Sequence, residues 1–220
     1  VVAGLLRRLR GSPAAVGLTL DGAPAVGHEG SWCLSRARRT TAYWLLAVGN
    51  ALPPMVGTAI LFDLQPLLAL RDIGPEQAAE AVGAWSVAMA VMAIPSGRLV
   101  DRAKPAWILV AGTVAVASSC LLLWRTAENA VVALVVYAVG QSLNASAVGA
   151  TTARFFGRAH HGAIRSSMAR IAVIGTGLGP LVFGASHHLT GSYDAALMAF
   201  ALLCAPVALA AVALREPVAA

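Results

Sequence analysis

Asn50, Asp63, Gln65, Gln141, Asn144 and Arg170 are polar side chains set inside long apolar stretches, and the chemistry open to them is recognition, not bond-making. Asp63 can exchange a proton or pair with a cation, Arg170 can pair with an anion, and the four amides can hydrogen-bond a polar solute. Gln141 and Asn144 lie one helical step apart with Ser142 beside them, a spacing that suits either a pore lining or an interhelical hydrogen bond. Catalytic patterns are absent from the sequence. It has no H-E-x-x-H, no G-x-x-x-x-G-K-[ST] and no Asn-Pro-Ala pair, and Gly184-Ala-Ser186-His187 lacks the second glycine of a G-x-S-G nucleophile turn. No enzyme is expected. Cys33, Cys120 and Cys204 form no C-x-x-C, and His187-His188 read as a solvated helix end, so the expectation is no metal and no cofactor.

Membrane helices must position these groups. The 220 residues are 58% hydrophobic and 12% charged, with a mean hydropathy of +0.74, more apolar side chain than a soluble domain can cover. Six stretches can cross ~30 Å of hydrocarbon. They run from Ala42 to Leu70, Pro75 to Gly97, Ala106 to Trp124, Asn129 to Phe155, Ile164 to Leu189 and Tyr193 to Leu214. Pro75 and Glu76 mark a helix start, and Pro206 predicts a kink. Residues 11–40, rich in glycine and proline, read as loop. Val1 to Leu6 followed by Arg7, Arg8 and Arg10 looks like a helix leaving the membrane, which predicts a piece of a longer protein.

The basic residues orient the spans. Of the 16 Lys and Arg, Arg71 and Arg125 fall on loops of one side and Arg170 lies about one turn into the fifth span, while all the others fall on the opposite side. That excess predicts both ends in the cytoplasm. The net charge of +6 sits in short turns and not on a patch interleaved with aromatics, so no nucleic-acid partner is expected. Arg36, Arg38 and Arg39, just before the first span, read as juxtamembrane anchors in contact with lipid.

Polar content sorts the helices further. The first, fourth and fifth spans carry amides or charges that cost several kcal/mol uncompensated in hydrocarbon, so they should face protein or a water-filled cavity. The third and sixth carry only hydroxyls and a cysteine and are expected at the lipid-facing periphery. Asp63, ~10 Å of helix from Leu70, is either a proton-coupling or substrate-pairing carboxylate or a vestibule acid with a structural partner. Arg170 either pairs with an anionic substrate or reaches the headgroups.

Between the second and third spans, Gly97-Arg-Leu-Val-Asp101-Arg102 resembles the G-x-x-x-D-R core of the loop signature of the major facilitator superfamily. Ala103-Lys104-Pro105 then departs from it, where the full signature continues G-R-R/K. Gly175-Thr-Gly-Leu-Gly179-Pro180-Leu-Val-Phe-Gly184, followed by Thr190-Gly191-Ser192-Tyr193-Asp194, is similar to the eleventh helix and following turn of many members. Pro13, Val16-Gly17-Leu18 and Asp21-Gly22 resemble a segment of the central cytoplasmic loop.

The resemblance implies an all-α bundle of six transmembrane helices, the carboxy-terminal half of the twelve-helix fold. Residues 1–40 would end the central loop, 41–215 would form the bundle, and 216–220 would be a cytoplasmic tail. It further implies a secondary transporter of monocarboxylate or oxalate/formate type, a symporter or antiporter. Such a protein would move a small solute, with proton coupling an option, across a plasma membrane of the bacterial inner type. Gly97, Asp101 and Arg102 would form a cytoplasmic latch. Gly175, Gly179, Pro180 and Gly184 would serve helix packing or gating, since small residues let backbones approach and Gly-Pro permits a bend. The partner would be the amino-terminal half or a second copy. The competing expectation is a non-transporting six-helix module that assembles with a partner.

Overall fold

The computed structural model describes residues 32–157, 160–214 and 217. Arg7, Arg8, Arg10, the Pro13 to Gly22 segment, Arg158, Arg215 and all of the expected tail except Pro217 lie outside the described residues. A one-turn helix, Leu34–Ala37, precedes six long ones: α1 Thr41–Ala69, α2 Pro75–Arg102, α3 Pro105–Arg125, α4 Ala130–Phe156, α5 His161–Thr190 and α6 Asp194–Val212. A 3-10 turn, Ala127–Asn129, leads into α4. All six helices are long and apolar enough to cross a membrane.

Local signals set the ends. The Thr40 hydroxyl accepts from the Tyr43 N–H at 3.2 Å and caps α1. Pro75 and Pro105 occupy first-turn positions of α2 and α3, where a missing N–H costs nothing. Gly191, at φ +70°, closes α5 in the left-handed conformation. The main departure from expectation is the charged stretch after the second span. It is not a turn: α2 stays helical through Arg102 and only Ala103 and Lys104 separate it from α3. Helix geometry therefore places Gly97 and Asp101 one turn apart on one face.

Of the closely packed helix pairs only α3 and α4 are consecutive in sequence. α1 lies along α5, α4 lies between α2 and α3, and α3 also packs along α6. Glycine lets two of these seams close. A Cβ on Gly140 of α4 would stand 2.7 Å from the Gly112 carbonyl of α3, and one on Gly179 of α5 would collide with the Met55 carbonyl of α1. Two apolar clusters fill the interior, one around Val56, Leu134 and Phe200 and the other around Tyr43, Phe156 and Met168.

Coverage within the bundle differs from the polarity sorting. The most apolar stretches of α2 and α5 are only 11% and 22% buried, against 44% for α3 and 33% for α6. The Gly112–Gly140 approach draws α3 inward, so lack of polar groups did not leave it peripheral. Exposed apolar side chains instead include Val87, Val91 and Ile94 of α2 and Val173, Ile174 and Leu181 of α5.

Candidate functional site

A cavity of about 420 Å³ opens between α1, α4 and α5. Proline chemistry prepares its α1 wall. Pro53 and Pro54 have no N–H, so the carbonyls of Gly49 and Asn50, both bordering the cavity, have no donor from the helix one turn on. The same logic applies to α5, where Pro180 frees the Thr176 carbonyl; there the Thr58 hydroxyl of α1 donates to it at 3.0 Å. At the seam the freed carbonyl is thus satisfied by the neighbouring helix.

Three residues expected in a substrate pathway, Asn50, Gln141 and Asn144, do line this cavity. Their states differ. Asn144 is almost wholly buried, its Nδ2 donating to the Gly140 carbonyl at 3.0 Å and its Oδ1 accepting from the Thr113 hydroxyl at 3.2 Å. It holds α3 to α4. Gln141 Oε1 is shut from solvent and has no partner. Arg165 of α5 lines the cavity too, and its Nη1 is likewise buried and unpartnered. Sequence reasoning counted Arg165 only as one more loop cation. Its signal was the stripe Arg165, Ala169, Ala172 and Thr176, at i, i+4, i+7 and i+11, all of which line the cavity.

The other expected residues lie elsewhere. Arg170 is exposed and sits five residues beyond Arg165, about 140° further round α5, so the two cannot share one wall. Asp63 is thirteen residues, or ~20 Å, along α1 from Asn50 and does not line the cavity. Its Oδ1 accepts a long 3.4 Å hydrogen bond from the Tyr193 hydroxyl, and the His187 ring stacks on Tyr193 with centroids 4.9 Å apart. Gln65 is exposed. Among the described residues no three His, Cys, Asp or Glu cluster as a metal site would require.

Asp101 and Arg102 are exposed in the last turn of α2 and make no ion pair among the described residues. Their buried neighbour Ser96 bonds to Ser146 of α4 at 2.9 Å, tying down this end of α2. Gly175 and Gly179 face α1, whereas Gly184 is exposed with open space around it. The residue that sequence reasoning missed most plainly is Arg71. It donates to the carbonyls of Leu123 and Trp124 at the end of α3 and pairs with Asp194 at 2.7 Å at the start of α6. One guanidinium therefore joins the α1–α2 loop to two other helix ends.

No curated protein matches the chain. Among solved structures, an outward-conformation transporter, FucP, superposes with a TM-score of 0.74 at 18% identity over 98% of this chain. The match takes in 52% of that transporter, so the chain spans about half its length. At that identity the likeness establishes the fold: six helices matching half of a transporter of this kind. The sequence model of the Major Facilitator Superfamily matches residues 40–220, most of the chain. The chain is therefore a membrane protein of the Major Facilitator Superfamily, a family of transporters and not of enzymes.

Proposed function

We propose that this chain is the carboxy-terminal six-helix half of a secondary transporter that moves a small solute by alternating access. The observation that carries the reading is the cavity in whose largely apolar wall Asn50, Gln141 and Arg165 are set, in a bundle whose α2 and α5 leave apolar faces uncovered. A second bundle packed on those faces would complete the site near the midplane, where transporters built from repeats hold their substrates. The resemblance of Gly175 to Gly184 and of Pro13 to Gly22 to late segments of family members supports the carboxy-terminal assignment. It also suggests carboxylates of the monocarboxylate or oxalate/formate kind.

The charge bias of the loops supports cytoplasmic ends and a plasma membrane of the bacterial inner type. In that orientation Gly97, Asp101 and Arg102 lie on the cytoplasmic face, where a latch would engage the other half. Asp63 lies toward the opposite face, within reach of protons from outside.

Reconstitution tests this directly. The 220 residues alone should show no saturable uptake into liposomes, while the same chain joined to an amino-terminal half should. Uptake by the short chain would favour a homodimer that rebuilds the cavity from two copies. Uptake by neither would favour the non-transporting module.

A further inference from the structure

We infer that the cavity between α1, α4 and α5 binds a small, singly charged organic anion, with its charged group on Arg165 and its polar remainder toward Gln141 and Asn50. This deepens the transporter reading and rests on it. Arg165 is the one charged side chain in the cavity lining among the described residues, and no acid accompanies it. Its Nη1 is closed off without a partner, so the guanidinium is only partly hydrated while the side chain still borders open volume. An uncompensated cation in such surroundings is costly, and a carboxylate that meets the guanidinium, once the side chain turns Nη1 toward the open volume, relieves it in a charge-assisted bond.

This half offers one cation, which matches one negative charge; a dianion would need a second cation from the other half. Gln141 supplies the second contact. Its Oε1 lacks a partner, and a turn of the terminal torsion offers either the carbonyl to a hydroxyl or the amide to a second carboxylate oxygen. The 420 Å³ volume admits a molecule of a few to a dozen heavy atoms. Asn144 contributes shape more than bonds, because its amide is already engaged by Thr113 and Gly140.

The test uses the intact transporter, in detergent for ligand-induced thermal shift and in proteoliposomes for uptake. The probes are lactate, its neutral isostere lactamide and the dianion malonate, run beside a panel of neutral sugars, amines and zwitterions. Lactate should bind at least about tenfold more tightly than lactamide or malonate. Arg165→Gln should weaken lactate by about 10- to 100-fold with little change in the ligand-free melting temperature, and Gln141→Leu by a few-fold. Should Arg165→Gln not fold, Arg165→Lys carries the test. It keeps the charge and loses the fork, so lactate should weaken several-fold with lactamide unchanged.

Lactate affinity indifferent to both Arg165 variants overturns the anion site, as does a large ligand-free destabilisation with unchanged selectivity. Uptake of a neutral or cationic solute with none of the anions removes the anion site and leaves transport standing. Uptake of nothing at all removes both.

Discussion

Arg71 and Arg165 stand toward opposite ends of the bundle, and their surroundings are opposite in kind. Arg71 spends its donors on two helix-end carbonyls and the Asp194 carboxylate, closing a contact between the α1–α2 loop, α3 and α6. Arg165 holds Nη1 unpaired beside an open cavity. A cation that meets its partners within the fold acts as a clamp; one that meets none either destabilises the fold or answers to something brought from outside. The comparison separates groups that hold the bundle together from groups left over for a ligand.

Arg71→Met should produce the largest effect. It leaves the carbonyls of Leu123 and Trp124 without this donor and strands Asp194. Because the two side chains are 29% and 48% exposed, solvent screening lowers the cost to about 2 kcal/mol. That corresponds to a fall of roughly 4 to 8 °C in the melting temperature of the detergent-solubilised protein. Arg165→Met should leave the ligand-free melting temperature within about 2 °C, since no bond inside the bundle is lost. Equal losses in the two variants would break the comparison.

The sequence carried the spans and their ends within a few residues, because ~20-residue apolar runs, first-turn prolines and a closing Gly191 are local signals. It also carried three of the cavity's polar residues, since Asn50, Gln141 and Asn144 are conspicuous among apolar neighbours. Helix pairing was not legible. Polarity sorting placed α3 outside because it registers what a helix lacks, whereas the Gly112–Gly140 approach that buries it depends on two backbones meeting. Arg71 and Arg165 were hidden by charge counting, which treats every loop cation alike and says nothing of its partners. Asp63 was conspicuous for the opposite reason, as a lone acid in an apolar helix, yet helix length puts it ~14 Å along α1 from Pro54, the nearest cavity residue of that helix.

A finer cut falls between two neighbours on α4. Asn144→Leu breaks the bonds to Thr113 and Gly140 and crowds the seam at Gly112, so it should cost about 1 to 2 kcal/mol in chemical or thermal unfolding. Gln141→Leu removes an oxygen that has no partner, and its stability should stay within about 0.5 kcal/mol of the parent or rise. Reversed magnitudes would mean that Gln141 is the structural residue and Asn144 the available one.

The smallest effect should come from Tyr193→Phe. The bond it deletes is 3.4 Å long, well beyond the ~2.7 Å usual for hydroxyl donors, so it contributes little. A phenylalanine ring keeps the stacking on His187 at 4.9 Å and the tilted contact with Phe183 at 5.5 Å, which are what seat Tyr193 against α5. The expected loss is under about 0.5 kcal/mol. Uptake tells the two roles of Asp63 apart. If its carboxylate exchanges protons during transport, losing the phenol donor shifts the pH profile of uptake while the melting temperature stays put. If Asp63 is a structural acid, neither moves. A loss above ~1.5 kcal/mol would show that the pair closes to a short bond, and Asp63 would then join Arg71 among the groups that hold the bundle.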